Sequence, residues 1–541
     1  MRYEAAGMGS GTRRRRSTVA LFVALALVGA ACAERLDPSE APVGFPTTVE
    51  TTTTLPPAAT IAEDTVEEIA FPEPIRHWET IDWETTGRRS EAPANTISVL
   101  DFGAVPDDGQ PDTEAFAAAV QAAGDAGRSN SPTSVRVPAG RYLLTETLLL
   151  QSNVVLLGDG KDATFVDLDL GGRDIEGITM VGAPFGNGEW FPLRADAERN
   201  SNRLLLPEGM TFATGQLLEI EQDNVPRMQT RDEWDVDWDD GSSGELVRVI
   251  DGGDGLVVVG HDLYEFYEVS RNARVRPISA LERSGIESMR IERLDTGYGH
   301  TVAMRYATDV WVLDSELVMT SRAHVGIDVT SRCEIAGSEI HGAHDYGDGG
   351  RAYGISIARH TTGCHVDDNA LWDLRHAMII QLGASGNVFS HNDARGSAGY
   401  EDRQPRADIS IHGHWPQVNL FEANVVDRIV FADWWGPSGP DNVFYRGCAL
   451  EHVIVTEQSN DQGVVASVIG PGGFLIDPDI TGTIAAGNVV AGEAIDDLTD
   501  FGGAALPTSL YGDDRTPPTV ENCTVAATAR NPWSDPEVER P

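Results

Sequence analysis

Positive charge is scarce in this sequence, and lysine is almost missing. Lys161 is the only lysine among 541 residues, and 40 Lys and Arg face 84 Asp and Glu, for a formal net charge of −44. A surface of this sign repels nucleic acid and anionic membranes, so neither is an expected partner. A polyanionic substrate would also be repelled unless a cation bridges it to the protein.

The chain also lacks an apolar run long enough to cross a membrane. Thr18 to Ala31 is rich in Ala, Leu and Val but too short, and it follows the basic stretch Arg13 to Arg16. This pattern predicts an export signal over residues 1–32. The segment VGAAC resembles a bacterial lipoprotein signal with Cys32 as the lipidated residue, whereas ordinary cleavage near Ala31 would leave a secreted protein. We therefore expect an exported protein that touches a membrane only through a possible lipid anchor.

Cysteine is rare, and no C-x-x-C pair occurs, so nothing indicates a zinc site. Cys333 and Cys364 occupy equivalent positions of the repeat described next and should be neighbours. An exported protein permits a disulfide between them, but a stack of two small apolar residues fits the spacing equally well.

The second half of the chain contains a pattern that returns six times. The copies are VWVLDSEL, CEIAGSEI, CHVDDNAL, NVFSHNDA, NLFEANVV and NVFYRGCA, starting at Val310, Cys333, Cys364, Asn387, Asn419 and Asn442. Positions three and eight are apolar, and position six is Ser, Asn or Gly. Alternation at period two indicates strands, and self-similarity at this length indicates a solenoid. The pattern predicts a parallel β-helix with stacked Asn side chains, right-handed as parallel crossovers usually are.

The unequal spacing of the copies predicts two loops. The starts are 23, 31, 23, 32 and 23 residues apart, and the extra residues form AHDYGDGGRA (343–352) and SAGYEDRQPR (397–406). Both insertions fall between the same two strands of their rungs, so both loops should emerge on one side. Such insertions usually build the binding face of a repeat protein.

Residues 33–94 are predicted to be a Thr- and Pro-rich linker, and order is expected to begin near residue 95. Ile97 to Phe102 is predicted as a strand, Asp112 as a helix N-cap, and Thr113 to Ala126 as an amphipathic helix. VRVPAGRYLL (135–144) is predicted as two strands joined by a turn, and NVVLLGDG (153–160) as a third strand.

These motifs carry a family resemblance. DFGA, D-x-x-D-T, VPAGRYLL and LLGDG together resemble the start of the pectate lyase superfamily, with its rhamnogalacturonase- and epimerase-like members. The resemblance implies an all-β, right-handed parallel β-helix over residues 95–510, with the helix capping its open N-terminal end. Residues 511–541 would form an irregular tail. The same fold hosts lyases, hydrolases, epimerases and non-catalytic adhesins.

Residues 187–280 interrupt the repeat with short strands and glycine turns, which predicts an inserted β subdomain. Within it, Asp235, Asp237 and Asp239 have a spacing typical of calcium loops, although a solvated acidic hairpin also explains them. Trp234 and Trp238 would face one side of a strand, where they could stack on a sugar or cover the subdomain core.

Histidine, carboxylate and arginine side chains collect around the two predicted loops. The candidate catalytic residues are His344, Asp345, Asp348, Arg351, Arg375, His376, Asp408 and His412, and the candidate substrate contacts are His300, His324 and His414 with the two tryptophans. Such groups in one groove suit acid–base chemistry on a glycan, while a stack of histidines between rungs would need no substrate.

The resemblance and these residues predict action on an extracellular polysaccharide. A uronate lyase would use an arginine or Ca²⁺ to neutralise the substrate carboxylate and a histidine as the base. A polygalacturonase-like hydrolase would use two aspartates, and Asp367-Asp368 and His412-Gly413-His414 only partly match its motifs. A surface solenoid that binds glycan without cleaving it is the third alternative.

Overall fold

The computed structural model describes most of the chain from Asn95 onward. The described residues are 95–126, 132–224, 240–347, 349–398, 407–431, 436–455, 459–476, 480–486, 488–490, 493–494, 509–512, 515–519, 521–523 and 526. The predicted export signal, Cys32 and the linker lie outside them. No helix in this part of the chain is both long and apolar enough to span a membrane.

The main domain is a right-handed parallel β-helix, as the repeat predicted. Each rung crosses three faces in a fixed order, and each strand pairs in parallel with the strand one rung away. β15, β17, β30 and β32 are long enough to bend across two faces. The first face consists of β1 (Asn95–Ser98), β2 (Thr133–Val137), β5 (Val154–Gly158), β15 (Leu281–Glu287), the end of β17 (Val302–Leu313), β20 (Glu334–Ala336), β23 (His365–Asp367), β26 (Val388–Ser390), β29 (Leu420–Glu422), β31 (Val443–Tyr445), β33 (Gly463–Val465) and β36 (Ile484–Ala486).

The other two faces complete the rungs. The second face consists of β3 (Gly140–Leu144), β6 (Thr164–Leu168), β16 (Arg290–Arg293), β18 (Glu316–Val318), β21 (Glu339–His341), β24 (Ala370–Trp372), β27 (Asp393–Arg395), the starts of β30 (Val425–Phe431) and β32 (Cys448–Val455), β34 (Val468–Ile469) and β37 (Val489–Val490). The third face consists of β4 (Leu148–Leu149), β7 (Ile178–Val181), the start of β17, β19 (Ala323–Ser331), β22 (Tyr353–Ala358), β25 (His376–Ile380), β28 (Ile409–Ile411), the ends of β30 and β32, and β35 (Gly473–Ile476). β38 (Glu493–Ala494) pairs antiparallel with β37.

The repeat positions lie where the pattern placed them. Positions three and eight point into one continuous core and are fully buried, from Val312 and Leu317 to Phe444 and Ala449. Position six forms a ladder in which the Oδ1 of Asn392 accepts from the backbone N–H of Asn369 at 3.1 Å, and the Oδ1 of Asn424 accepts from the N–H of Asn392 at 3.0 Å. A second ladder, Asn387–Asn419–Asn442, runs before the first face.

A tight turn in the left-handed conformation precedes each position six. Its φ values lie between 48° and 61° at residues 288, 314, 337, 368, 391, 423, 446 and 466. Only one of these residues is glycine, although left-handed backbone is strained for residues with a Cβ. Stacked amides supply the hydrogen bonds that hold this turn in the rungs that carry Asn, and the hydroxyls of Ser338 and Ser467 supply them in two others.

The N-terminal end is closed by α1 (Thr113–Ala126), which buries Phe116 and Val120 against the first rung. Two sequence expectations need correction. The expected strand Ile97 to Phe102 ends at Ser98 and continues as a 3-10 helix over Val99–Phe102. Asp112 precedes the helix, but its carboxylate accepts from the N–H groups of Val105 and Leu143 rather than from the helix.

An antiparallel sheet of seven strands is inserted between β7 and β15, where residues 187–280 were expected to leave the solenoid. Its strands are β8 (Ala183–Pro184), β9 (Phe191–Pro192), β10 (Arg203–Leu205), β11 (Leu217–Gln222), β12 (Ser243–Gly253), β13 (Leu256–Val259) and β14 (Arg274–Ser279). The subdomain has its own apolar core and packs on the turns that lead from the third face to the first. One contact is the Nε1–H of Trp415, which donates to Glu265 at 2.9 Å.

Two disulfides join the described cysteines. Cys333–Cys364 links neighbouring rungs, with 4.5 Å between the Cα atoms, so the bridge rather than the simple apolar stack is present. Cys448–Cys523 links the solenoid to a short helical turn of the C-terminal tail.

Candidate functional site

The outer surface of the third face forms the floor of the candidate site. The loops between the second and third faces border it on one side, and the inserted subdomain borders it on the other. Arg305 of β17 and Asp328 of β19 are register partners on this floor, and their side chains form an ion pair at 2.6 Å. The Arg305 side chain is 54% exposed, so it is available to a ligand.

Five side chains form what we call the His300 cluster: Glu176, His300, Arg305, Arg322 and Asp328. The backbone N–H of His300 donates to the Glu176 carboxylate. The imidazole lies directly over Gly326, where a Cβ atom would come within 2.5 Å of the ring. A glycine at this point of β19 therefore lets the ring lie flat on the sheet. The Nδ1 atom of His300 is buried and has no hydrogen-bond partner among the described residues.

Burial and neighbouring charges shift the pKa values of the cluster's side chains in different directions. Burial, assisted by the charge of Arg322, lowers the pKa of His300 to about 3, so its imidazole is neutral at pH 7. Burial raises the pKa of Glu176, although three arginines oppose the shift. Burial also acts to raise the pKa of Asp328, but Arg305 outweighs it and the net shift is downward.

The first predicted loop adds charge above this cluster. The guanidinium groups of Arg322 and Arg351 lie 5.3 and 5.1 Å from the ring centre of Tyr298, and the Tyr298 hydroxyl donates to the carbonyl of Gly349. Arg351 also pairs with Asp345 at 3.1 Å. The predicted residues Arg351 and Asp345 are thus joined through Tyr298 to Arg322 of the cluster.

Three other predicted histidines are held by backbone carbonyls. The ring of His324 is bonded to Gly342 O at 2.9 Å, that of His376 to Ala407 O at 3.0 Å, and that of His344 to Arg293 O at 2.8 Å. Burial lowers the pKa of both His324 and His376 to about 3. These contacts favour a structural role, in which the three rings tie the loops to the rungs.

Asp408 is buried beside Ser397, where the second predicted loop begins. Residues 399–406 of that loop lie outside the described residues. Donors surround both oxygens of the Asp408 side chain. They are the N–H and hydroxyl of Ser397 and the N–H groups of Asp427 and Arg428. Burial and the nearby charge of Asp427 raise the pKa of Asp408 to about 7 despite these donors. These contacts join Ser397 and Asp408 to Asp427 and Arg428 of the next rung.

The remaining predicted residues lie farther along the same side. Arg375 donates to Gly347 O at 2.9 Å. His412 is buried, which lowers the pKa of its ring to about 4, and His414 is fully buried behind it against Gly436. Asp348, Trp234, Trp238, Asp235, Asp237 and Asp239 lie outside the described residues, so the calcium loop stays a prediction.

One group of side chains in the described part of the chain has the geometry of metal ligands, namely Glu219, Glu221 and His360. Its donor atoms are already engaged. Arg276 donates to Glu219 at 2.6 Å, Arg274 pairs with Glu221, and the two ring nitrogens of His360 contact Glu219 and Gly241 O. This group fits an ion-pair network between subdomain and solenoid better than a metal site.

The sequence analysis missed four members of the His300 cluster as well as Tyr298. A signal for two of them was present, because Arg305 and Asp328 are 23 residues apart, which is one repeat length. Glu176 offered no such signal, since it lies 124 residues before the His300 amide that it accepts from.

Residues 96–191 match the family model "Rhamnogalacturonase A/epimerase, pectate lyase-like". This pectate lyase-like match covers the capping helix and the first rungs, and it confirms the resemblance read from the motifs. No curated protein matches the chain.

Several solved structures are similar to this chain at low identity. A tailspike protein of Pseudomonas phage LKA1 covers 73% of this chain and 79% of its own, with 14% identity and a TM-score of 0.46. An exopolygalacturonase from Thermotoga maritima covers 77% and 96%, with 10% identity and a TM-score of 0.36. The A-module of a mannuronan C-5 epimerase from Azotobacter vinelandii covers 74% and 96%, with 14% identity and a TM-score of 0.35.

Proposed function

We propose that this protein binds and cleaves a uronate-containing extracellular polysaccharide on the outer surface of the third face, by β-elimination. The observation that carries the proposal is the convergence of Arg305 and Arg322 around His300 and Glu176, with Arg351 beside Arg322 on the ring of Tyr298. The chain has a net charge of −44, yet these three guanidinium groups lie at or beside the third face. Such a site suits a ligand that carries carboxylates, since guanidinium groups pair well with them.

The same residues supply the groups that β-elimination requires. The arginines would neutralise the uronate carboxylate and so acidify the adjacent ring proton. The imidazole of His300, whose Nδ1 atom has no hydrogen-bond partner among the described residues, would accept this proton, and the Glu176 carboxyl beside it would serve the leaving oxygen. The pectate lyase-like match over the first rungs supports a polysaccharide substrate.

One observation favours hydrolysis as the second candidate. The environments of Glu176 and Asp328 shift their carboxyl pKa values in opposite directions, upward for Glu176 and downward for Asp328. A protonated and an ionised carboxyl on either side of a glycosidic bond are the acid and base of a glycoside hydrolase.

A panel of acidic and neutral polysaccharides, with and without added Ca²⁺, tests the proposal. The formation of unsaturated products, seen by their ultraviolet absorbance, is the expected result and would identify the uronate substrate. New reducing ends without that absorbance would move the assignment to Glu176 and Asp328. Binding to an acidic glycan without cleavage would leave a glycan-binding solenoid, and no interaction with any acidic glycan would overturn the proposal.

The place of action belongs to the same proposal. We infer that the protein works outside the cell, either freely secreted or anchored through lipidated Cys32. Labelling with a fatty-acid analogue, compared between the wild type and Cys32→Ala, separates the two alternatives. Loss of label in the variant is expected for the anchored protein.

A further inference from the structure

The inserted subdomain presents an aromatic ring next to the His300 cluster. Trp190 lies just before β9, and its ring centre is 4.3 Å from the guanidinium of Arg276 and 5.1 Å from that of Arg274. Arg276 in turn donates to the hydroxyl of Tyr306 at 3.2 Å. Tyr306 directly follows Arg305 in β17, so a continuous chain of contacts leads from the cluster to Trp190.

The two arginines form a platform under the tryptophan. Residues 274 and 276 are two apart in β14, so their side chains leave the strand on the same side and approach the ring together. Glu221 pairs with Arg274, and Glu219 accepts from Arg276 at 2.6 Å, which fixes both guanidinium groups. The ring is therefore held by the two guanidinium groups and is partly exposed to solvent.

Exposed apolar side chains extend this surface. Val181, the register partner of Arg305 on the third face, is 46% exposed, and Phe185, whose N–H donates to Pro277 O, is 60% exposed. Apolar side chains exposed together beside a charged groove are typical of a binding surface. The apolar C–H face of a pyranose ring fits an aromatic ring, and its carboxylate fits the neighbouring arginine.

We propose that Trp190 is a sugar-stacking residue that forms a separate subsite of the groove, beside the His300 cluster. The subsite would hold one pyranose ring of an acidic polysaccharide, and Arg305 is the cluster residue that links the subsite to the rest of the cluster. This inference rests on the proposed function, because it assumes that an acidic glycan occupies the groove. It adds that the subdomain selects for chain length, since only an oligosaccharide that extends past Arg305 reaches Trp190.

The test is binding of uronate oligosaccharides of increasing length to the full-length protein, followed by calorimetry and tryptophan fluorescence. Trp190→Ala should weaken the binding of long oligosaccharides by about tenfold, the scale of one aromatic contact, and leave the shortest ones unchanged. Trp190→Phe should restore most of the loss. Trp372→Ala is the matched control, because Trp372 is a partly exposed tryptophan that stacks on His341 of the second face and not on the arginines of the subdomain.

The outcomes distinguish failure of the Trp190 subsite from failure of the proposed function. If Trp190→Ala binds all lengths as the wild type does, or loses affinity equally for all of them, the stacking subsite is wrong and the acidic-glycan site stands. If the wild type binds no uronate oligosaccharide of any length, the proposed function fails and the subsite fails with it. A melting temperature for each variant distinguishes loss of a contact from loss of the fold.

Discussion

At the scale of single residues, the groove draws its positive charge from arginines in three different structural settings. Arg305 projects from a strand of the floor, Arg322 lies in the turn just before β19, and Arg351 belongs to the first loop. Tyr298 contacts the last two, and Asp328 pairs with the first. The cations are therefore fixed before a ligand arrives, which reduces the entropy lost on binding.

Replacing one of these arginines should weaken binding of acidic glycan with little effect on folding. Arg322→Ala removes one charge-assisted contact, and we expect a loss of about 10- to 100-fold in affinity. The control is Arg141→Ala, because Arg141 also pairs with an aspartate, Asp167, but on the second face. Affinity measured by calorimetry should fall only in the first variant; equal losses in both would mean that the groove is not the binding site.

A buried histidine should make docking of the subdomain depend on pH. His360 has an acceptor at each ring nitrogen, Glu219 at 2.8 Å and Gly241 O at 2.6 Å, so the doubly protonated ring satisfies both. Burial opposes this form, yet Glu219 outweighs it and the pKa of His360 is raised. A raised pKa gives stability that is complete below the unfolded value of about 6.5 and is lost as the pH rises through the folded value.

The measurement is the difference in unfolding free energy between the wild type and His360→Gln from pH 5 to 9. We expect the wild-type advantage to be largest near pH 5 to 6 and to shrink at higher pH. The pKa of Glu219 is lowered, so its contribution to the free energy of unfolding is lost only as the pH falls through its folded pKa. That contribution is therefore constant over the measured range. A difference that grows with pH would show that His360 is neutral in the folded protein.

At the scale of elements, the stability of each rung depends on its tight turn and its ladder amide. The Oδ1 of Asn392 accepts from the N–H of Asn369, and its amide group donates to Val366 O and to Asn424. All of these atoms are buried, where no water replaces a lost partner. The ladder thus supports a turn of a conformation that most residues avoid.

Asn392→Ala should therefore destabilise the solenoid by about 2–4 kcal/mol, since it leaves several buried polar groups without partners. Asn95→Ala, at an exposed position of β1, is the control and should change stability little. Denaturant unfolding measures both. If both variants unfold alike, the ladder contributes less than its geometry indicates.

How far the elements follow from the sequence depends on whether their contacts repeat. The core positions, both ladders and the first loop were predictable because each lies at a fixed offset within the repeat, whereas residues 399–406 of the second predicted loop lie outside the described residues. The 3-10 helix at Val99 and the role of Asp112 were not, since they depend on contacts with β3 and its neighbours. The partner of Cys448 also escaped prediction, because Cys523 lies in the tail, where no repeat fixes its position.

The candidate site was harder to predict than the fold for the same reason. The repeat indicates which strands stack, but it does not say which polar side chains meet across a groove. Arg351 and Asp345 were found because they lie in the first loop, and His300 because it lies one rung before His324. Glu176 and Trp190 were not, because residues of the subdomain and of earlier rungs reach the groove through long-range contacts.

At the scale of the whole molecule, the excess of negative charge surrounds a small cationic groove. Distant carboxylates repel an acidic polysaccharide, while the arginines attract it at short range. Salt screens the distant charges first, since they act through solvent over distances near or beyond the Debye length of about 8–10 Å. Salt should therefore affect the approach of the polysaccharide, seen in the association rate, differently from the strength of its contacts, seen in the dissociation rate.

We expect the association rate with an acidic polysaccharide to rise as salt is added from low ionic strength, while the dissociation rate also increases. This differs from a basic protein, whose association with a polyanion slows with salt. Stopped-flow binding over a range of NaCl concentrations measures both rates, and a neutral polysaccharide provides the control. A steady decline of the association rate with added salt would contradict this prediction. It would indicate that the attraction of the arginines, and not the repulsion of the distant carboxylates, dominates the approach.

The position of the inserted subdomain also determines the order in which the protein can fold. Later rungs pair across short stretches, such as the 23 residues between Asp309 and Arg332, whereas the hydroxyl of Ser284 reaches the carbonyl of Val154 across 130 residues. Closing that long loop costs more chain entropy than closing a single rung. During synthesis the first rungs would wait with an unpaired edge until the subdomain is complete, and this junction is where we expect folding to be slowest and most prone to aggregation.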